Sequence, residues 1–184
     1  MGNGQGDLPL AALEHADDEH DMEDVLERVA RRLQAEGVHV GGLVHRGDDY
    51  PSGSKRMVLF DLRTNCSFEL SQDLGGASVA CNLNPQALGE ASAVLRQALA
   101  DGVDLVVINR FGGVEAEGGG FVMEFADFIE AGIPVLTAVA ARHQSGWQRF
   151  TGGLHAALPA DEEALMAWCR AKLARRKQEG ALKV

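Results

Sequence analysis

The polar segment at 109–120 carries the side chains that are best suited to chemistry. An apolar run at 103–108 ends abruptly in Asn109 and Arg110, and a loop with five glycines and two glutamates follows. In an open α/β sheet, ligands gather where parallel strands give way to loops at their carboxyl ends. Arginine supplies positive charge, and the backbone N–H groups of a glycine-rich loop that leads into a helix can donate to an anion. The pattern therefore predicts a binding site for a small anion.

The predicted ligand-binding set consists of Asn109, Arg110, Gly112, Glu115, Glu117, Gly118, Gly119 and Arg142. Arg110 would supply charge, Asn109 would orient the ligand, and backbone groups around Gly112 and 118–120 would donate hydrogen bonds. Glu115 and Glu117 would position Arg110 or a bound cation, or would act as general acid and base. The alternative is that the glycines only make tight turns and that the glutamates are solvated loop charges.

Further polar residues follow the ends of other predicted strands, and a parallel sheet would bring them to the same edge. They are Glu14 and His15, His45 and Arg46, and Arg142 and His143. A second loop, with paired glycines at 75–76, could add backbone donors there. Trp147 and Phe150 either stack on a ligand or, as is commoner in a short capped helix, belong to the core. His39 and His155 have no partner in the sequence and are interpreted as structural.

Short apolar runs predict the strands, and apolar residues at helical spacing predict the helices, that would position these residues. The predicted strands lie at 8–13, 38–44, 57–62, 66–70, 103–108, 133–139 and 154–158. Helices are predicted at 21–36, 85–101, 121–130 and 145–150, the last with a capping box of Ser145 and Gln148, and in the segment that Asp161 caps. This alternation predicts an α/β three-layer sandwich with a mostly parallel sheet and a small antiparallel hairpin at 57–70 on one side.

Length and composition favour one domain and disfavour several classes of function. The chain has 184 residues, with a single domain predicted at 7–178, a flexible tail at 1–6 and a frayed tail at 179–184. A formal net charge of −10 disfavours nucleic-acid binding, and no apolar run is long enough to span a membrane. Cys66, Cys81 and Cys169 are widely spaced without a CxxC pair, which predicts free thiols in a reducing cytoplasm.

The connection after the first predicted strand lacks the residues of a phosphate-binding P-loop. A P-loop needs G-x-x-x-x-G-K-[ST] there, whereas residues 13–21 read Leu-Glu-His-Ala-Asp-Asp-Glu-His-Asp. The acidic pair expected after a hydrolase strand is also missing, because Asn109 and Arg110 follow the run at 103–108. Standard P-loop hydrolysis is therefore disfavoured. The acidic segment at 14–21 could bind a metal or could simply favour a helix start; its histidines do not share a helix face, and we assign no metal site.

Several motifs resemble the bacterial family called domain of unknown function 2478. They are Asn109-Arg110-Phe111-Gly112 with Glu115-Ala116-Glu117-Gly118, Gly132-Ile133-Pro134-Val135-Leu136, Ser71-Gln72-Asp73-Leu74-Gly75, Cys81-Asn82-Leu83-Asn84-Pro85 and Trp147-Gln148-Arg149-Phe150-Thr151-Gly152-Gly153-Leu154. The resemblance implies a P-loop-NTPase-like fold and, because members are often encoded beside molybdate-uptake genes, a link to molybdenum metabolism. It implies no established reaction. Gly113 and Gly119 depart from the family pattern, in which Lys and Arg are expected.

The leading hypothesis is a P-loop-like domain that binds a small anion, a nucleotide or an oxyanion such as molybdate, without Walker-type hydrolysis. Two alternatives stay open. The first is a non-catalytic regulatory or interaction module, a homodimer paired through the hairpin edge, which a Leu59→Lys variant would test. The second is an atypical nucleoside-triphosphatase whose phosphate release needs Glu117. The sequence identifies no cofactor.

Overall fold

The protein is built on one twisted sheet with helices on both faces. The computed structural model describes residues 8–17, 22–47, 51, 56–71 and 83–182. Within these residues the strands are β1 (Leu10–His15), β2 (Val40–His45), β3 (Val58–Asp61), β4 (Ser67–Glu69), β5 (Leu105–Ile108), β6 (Val135–Ala140) and β7 (Ala156–Leu158). The helices are α1 (Met22–Ala35), α2 (Pro85–Ala100), α3 (Gly113–Ala116), α4 (Val122–Glu130), α5 (Gln144–Thr151) and α6 (Glu162–Ala181).

The strand order is β4-β3-β2-β5-β6-β1-β7. The pairs β2–β5, β5–β6, β6–β1 and β1–β7 are parallel, and the pairs β2–β3 and β3–β4 are antiparallel. The predicted mostly parallel sheet and the predicted hairpin at its side are therefore confirmed. After β1 the chain crosses over β6 and β5 to reach β2, and after β6 it crosses over β1 in the opposite direction to reach β7. The two connections leave the gap between β1 and β6 in opposite directions, and such a switch point is where open α/β sheets bind ligands.

Two apolar layers cover the sheet, and β5 shows how one strand serves both. Leu105 and Val107 pack in the layer with α1 and α6, whereas Val106 and Ile108 pack in the layer with α2, α4 and α5. All four side chains are fully buried, because a parallel strand in the middle of an α/β sheet has helices on both faces. The uninterrupted apolar run in the sequence reflects this position.

Local capping residues explain where two of the helices begin. The Asn84 side chain accepts hydrogen bonds from the N–H groups of Gln86 and Ala87, with Pro85 at the first helical position of α2. Asp161 accepts from the Ala164 N–H at the start of α6. The Asp161 cap matches the sequence-based prediction, and α2 begins at the predicted residue, Pro85. Helix α6 continues to Ala181, which is beyond the start of the predicted frayed tail at 179.

Two local features differ from the predictions. Helix α5 begins at Gln144 with His143 at its N-cap and no capping hydrogen bond from a side chain, so Ser145 already lies inside the helix and the predicted capping box is wrong. The four-residue helix α3 occupies part of the segment that was predicted to be a loop. A helix this short has no apolar periodicity that a sequence pattern could reveal.

Gly42 lets β2 lie directly against β5. Its φ is +123°, and a Cβ built on it would lie 1.9 Å from the carbonyl oxygen of Val107. The neighbouring Gly41 faces α2, where an added Cβ would lie 2.9 Å from the Cβ of Ala98. None of the helices in the described part of the chain is long and apolar enough to cross a membrane.

Candidate functional site

A cavity of about 420 Å³ opens at the carboxyl ends of β1, β5 and β6. Its polar lining comes from the residues that follow these strands, and its apolar lining comes from the hairpin, from α2 and from the segment around α3. The lining residues are His15, Glu23, Met57, Leu59, Leu70, Leu83, Leu88, Asn109, Arg110, Phe111, Gly112, Gly113, Val114, Glu115, Glu117, Gly120, Phe121, Ala140, Arg142 and His143. The sheet thus brings together six residues of the predicted set, which are Asn109, Arg110, Gly112, Glu115, Glu117 and Arg142.

Arg110 is an exposed cation of this cavity. It directly follows Asn109 at the end of β5, and its guanidinium Nη2 lies 3.6 Å from the thioether sulfur of Met57. Among the described residues, no carboxylate forms a salt bridge with Arg110. A thioether is a weak acceptor, so the guanidinium keeps most of its hydrogen-bonding capacity for another partner.

Arg142 and His143 line the cavity from a 3₁₀ turn at Ala141–His143 that follows β6. The Arg142 backbone N–H donates to Asp17 Oδ1 at 2.9 Å, and its guanidinium Nη1 lies 3.5 Å from the same oxygen. Its Nε donates to His143 Nε2 at 3.2 Å. The imidazole therefore accepts at Nε2 and carries its proton on Nδ1, which is the neutral form.

The environment of His143 keeps it neutral. Burial lowers its pKa below the usual value of 6.5, and the positive charges of Arg142 and Arg110 lower it further, against weaker opposing effects of Asp17 and Glu115. The two guanidinium groups thus place positive charge near this ring, although the whole chain carries a formal charge of −10. A bound anion would oppose this repulsion and raise the pKa of His143.

Glu115 is held by the backbone and holds the glycine loop in shape. Its Oε2 accepts from the Gly112 N–H at 2.9 Å and its Oε1 accepts from the Phe121 N–H at 3.1 Å. One carboxylate thereby fixes the start of α3 and the entry into α4. Gly120 is required beside it, because its φ is +55° and an added Cβ would lie 2.0 Å from Glu115 Oε1. The prediction that Glu115 positions Arg110 does not match this arrangement.

The backbone donors of the glycine loop are largely engaged inside the loop. The Gly112 N–H donates to Glu115, the Gly118 N–H to the Glu115 carbonyl and the Gly119 N–H to the Val114 carbonyl. Gly118 and Gly119 also lie outside the lining of the cavity. Three of the expected backbone donors, those of Gly112, Gly118 and Gly119, are therefore committed within the loop, and the side chains of Arg110 and Arg142 supply charged donors to the cavity.

Asn109 and Glu117 differ in how firmly they are held. Asn109 is 3% exposed, and its Oδ1 accepts from the His45 N–H at 3.0 Å, which ties the end of β5 to the end of β2. Its carbonyl oxygen thus has a structural partner while the residue lines the cavity. Glu117 is exposed and forms no side-chain hydrogen bond or salt bridge with another described residue.

His45 and Arg46 lie outside the cavity, contrary to the predicted convergence. His45 Nδ1 donates to the Val58 carbonyl at 3.1 Å. Arg46 pairs with Glu27 of α1, with Nε 2.8 Å from Oε2, and its guanidinium lies over the Phe60 ring. The hydrogen bond from Arg46 is the largest cause of the lowered pKa of Glu27. Because β2 continues into the hairpin, the residues after it are drawn toward β3 and α1.

His155 lies behind the cavity wall in a buried hydrogen-bond network that the sequence did not reveal. His155 Nε2 donates to Glu14 Oε1 at 3.1 Å, and its Nδ1 lies 2.9 Å from the Thr151 hydroxyl oxygen. Glu14 also accepts from the Gln144 side chain at 3.3 Å. These contacts tie β1 to both ends of α5. His155 is structural, as predicted. Its partner Thr151 lies only 4 positions away, but its partner Glu14 lies 141 positions away, where no sequence pattern could indicate it.

The aromatic residues near the cavity form part of the core. Trp147 is fully buried and packs against Phe111, Phe125 and Phe150 with ring centroids 5.0–6.0 Å apart. Of the two interpretations of Trp147 and Phe150, packing is therefore the one that the contacts support. Phe111 lines the cavity and stands on this cluster, so the cluster supports the cavity wall from below.

The described residues contain no cluster of three or more His, Cys, Asp or Glu that could hold a metal ion. Glu14 and Asp17 of the acidic segment have the partners given above. Asp18, Glu19, His20 and Asp21 lie outside the described residues, as do the paired glycines at 75–76 and Cys81.

Three comparisons place the chain among known proteins. Residues 10–168 match the family described as "Protein of unknown function (DUF2478)". The chain is 38% identical over 159 residues to "Molybdenum import ATP-binding protein ModC 2" of Bradyrhizobium diazoefficiens, covering 86% of this chain but only 18% of that protein. The solution structure of a human cancer-related nucleoside triphosphatase superposes with a TM-score of 0.59 at 11% identity, covering 91% of this chain and 97% of that chain. This likeness confirms the P-loop-NTPase-like fold.

Proposed function

Since this chain belongs to the DUF2478 family and has a P-loop-NTPase-like fold, we propose that it binds a small anion between Arg110 and Arg142. The anion is a nucleotide or an oxyanion such as molybdate. Arg110 supplies the free guanidinium, and Arg142 and His143 face it from the end of β6. The single observation that carries the proposal is that Arg110 lines a cavity at the switch point of the sheet without a carboxylate partner among the described residues.

Binding without standard hydrolysis fits the ends of the strands. A Walker-type site uses a glycine-rich loop with a lysine after the first strand and an acidic residue for magnesium on a later strand. Here β1 is followed by Ala16 and Asp17, and β5 is followed by Asn109 and Arg110. An arginine in the place of a carboxylate attracts a phosphate directly but cannot hold Mg²⁺.

The name of one relative suggests which anions to test first. That relative is a molybdenum import ATP-binding protein, and this chain spans only 18% of it, so neither its transport function nor its nucleotide is carried over as a fact. The name does make ATP and molybdate the informative pair of ligands. The separated cysteines favour a cytoplasmic location, and of those in the described residues Cys66 and Cys169 are both free thiols.

Isothermal titration with ATP, GTP, molybdate, tungstate and sulfate tests the proposal. Removing one charge-assisted hydrogen bond costs about 1.5–3 kcal/mol, so Arg110→Gln is expected to weaken binding by about tenfold or more. Arg175→Gln is the matched control, because Arg175 lies on the exposed surface of α6 and pairs with Glu179 away from the cavity. Absence of saturable heat with every one of these anions at millimolar concentration would refute the proposal.

Pairing through the hairpin edge, the alternative from the sequence, has less support. The edge strand β4 has three residues, and its Ser67 and Glu69 are exposed. A short edge with a charge on it is a common way to prevent strand pairing. Leu59 is 1% exposed, so Leu59→Lys would unfold the core rather than report on an edge. Light scattering on a Ser67→Pro variant is the better test, because a dimer through β4 would dissociate.

A further inference from the structure

We propose that the ligand is a phosphate monoester whose organic part is a flat, largely apolar ring. This inference rests on the proposed function and narrows it from small anions in general to one chemical class. The observation behind it is that cationic residues and a group of aliphatic side chains, the aliphatic wall, line the same cavity.

The size of the cavity exceeds what a bare oxyanion needs. Four oxygen atoms, each about as large as a water molecule of ~30 Å³, would occupy roughly 120 Å³. The cavity measures about 420 Å³, which falls within the range of sites for small organic molecules. An oxyanion bound at Arg110 would therefore leave most of the space unfilled.

The remaining space is lined by aliphatic side chains. Met57, Leu59 and Leu70 come from the hairpin and its flanks. Leu83 precedes the cap of α2, and Leu88 lies in the first turns of that helix. Leu59 and Leu70 are nearly fully buried beneath the cavity, whereas the other three are partly exposed around it. Water on such a wall has few hydrogen-bonding partners, so an apolar ring that displaces it gains free energy.

The contact between Arg110 and Met57 joins the two halves. The guanidinium Nη2 lies 3.6 Å from the Met57 sulfur, so the free cation stands at the border of the aliphatic wall. A ligand whose charged group meets Arg110 must then extend over Met57, unless it turns back toward solvent. A single ligand that has both a charged group and an apolar part can therefore contact Arg110 and the aliphatic wall at the same time.

The carboxylates of the lining limit the charge of the ligand. Glu23 and Glu117 line the cavity with Arg110 and Arg142, and the Glu115 carboxylate accepts from two backbone N–H groups and has no cationic partner among the described residues. Two guanidinium groups with these acids nearby suit one phosphate group better than a triphosphate, since each further negative charge would face a carboxylate. This favours a monoester.

Titration with inorganic phosphate, 1-naphthyl phosphate and 1-naphthol tests the inference. We expect 1-naphthyl phosphate to bind at least tenfold more tightly than either of the others. The double variant Leu83→Ala, Leu88→Ala should lose most of this advantage and keep its affinity for inorganic phosphate. Leu154→Ala is the matched control, because Leu154 is an exposed leucine, 38% accessible, that lies outside the cavity.

The outcomes separate this inference from the proposed function. Equal affinities for inorganic phosphate and 1-naphthyl phosphate would overturn the inference and leave anion binding intact. Naphthol binding as tightly as its phosphate would also overturn it, because the charge would then contribute nothing. Failure of every anion to bind would overturn both proposals. Circular dichroism of the double variant checks that the fold is retained, and the single variant Leu83→Ala provides the same comparison if the double variant is destabilised.

Discussion

Replacing Glu115 with alanine should destabilise the protein, because its carboxylate caps two backbone donors. Gly112 and Phe121 donate to it at 2.9 and 3.1 Å, and both donor residues are buried. Hydrogen bonds to a charged group contribute about 1.5–3 kcal/mol each, and Glu115 is itself partly exposed, so the lower end applies. The expected loss in the free energy of unfolding is therefore about 3 kcal/mol for Glu115→Ala. Glu115→Gln, which keeps one acceptor oxygen, should lose about half as much.

Thermal unfolding followed by circular dichroism measures this loss. For a chain of this size, about 3 kcal/mol corresponds to a fall in Tm of roughly 6–12 °C. Glu117→Ala is the control on the same loop, because the exposed Glu117 has no side-chain partner among the described residues; its Tm should change by less than about 2 °C. A Glu115→Ala protein as stable as the wild type, but unable to bind anions, would show that the carboxylate acts on the ligand and would refute this reasoning.

Three further predictions concern the charges of the cavity. Gly113→Lys should strengthen sulfate binding by about fivefold, because it adds a cation beside the cavity. The added Cβ would lie 3.4 Å from His143, which is an ordinary contact. Gly180→Lys, in open space on α6, is the control and should leave sulfate affinity unchanged in the same titration. Asp17→Asn should strengthen sulfate binding about two- to fivefold, since it keeps the acceptor for the Arg142 N–H but removes the competing charge, and weaker binding would contradict this. The pKa of His143 is lowered in the free protein, and a bound anion would raise it. Sulfate affinity should therefore rise as the pH falls from about 7.5 to about 5.5. Calorimetry on His143→Gln should show that most of this pH dependence is lost.

The fold could be predicted from the sequence because its signals are local and strong. The apolar run at 103–108 contains a strand buried on both faces, and Asn84 and Asp161 cap helices by contacts with residues two or three positions away. Helix α3 gave no such signal. It depends on Glu115 reaching forward to Phe121 across a glycine whose conformation is set by the loop itself.

The site could be predicted only where it follows the strands. Arg110 and Arg142 both line the cavity, because parallel strands must end at a common edge. Arg46 follows a strand in the same way, but Glu27 of α1 binds it, and that pairing depends on how the helix packs. The aliphatic wall was missed for a related reason. An apolar residue such as Leu59 reads as core in any sequence, and only the folded chain shows that it borders a cavity beside Arg110.

Three arginines follow parallel strands at the carboxyl edge of the sheet. The partners of two of them indicate why the third can bind a ligand. Arg46 forms a salt bridge with Glu27, and Arg142 forms one with Asp17. With 27 acidic and 17 basic residues in the chain, a carboxylate is available for most guanidinium groups. Arg110 lacks one among the described residues because the loop after it commits Glu115 to the backbone. The same carboxylate that shapes the glycine loop is thus withdrawn from Arg110, so that folding of the loop and availability of the cation are coupled. On this argument, Glu115→Gln should weaken sulfate binding in the calorimetric titration, because the loop after Arg110 loses one of the two hydrogen bonds that hold its shape.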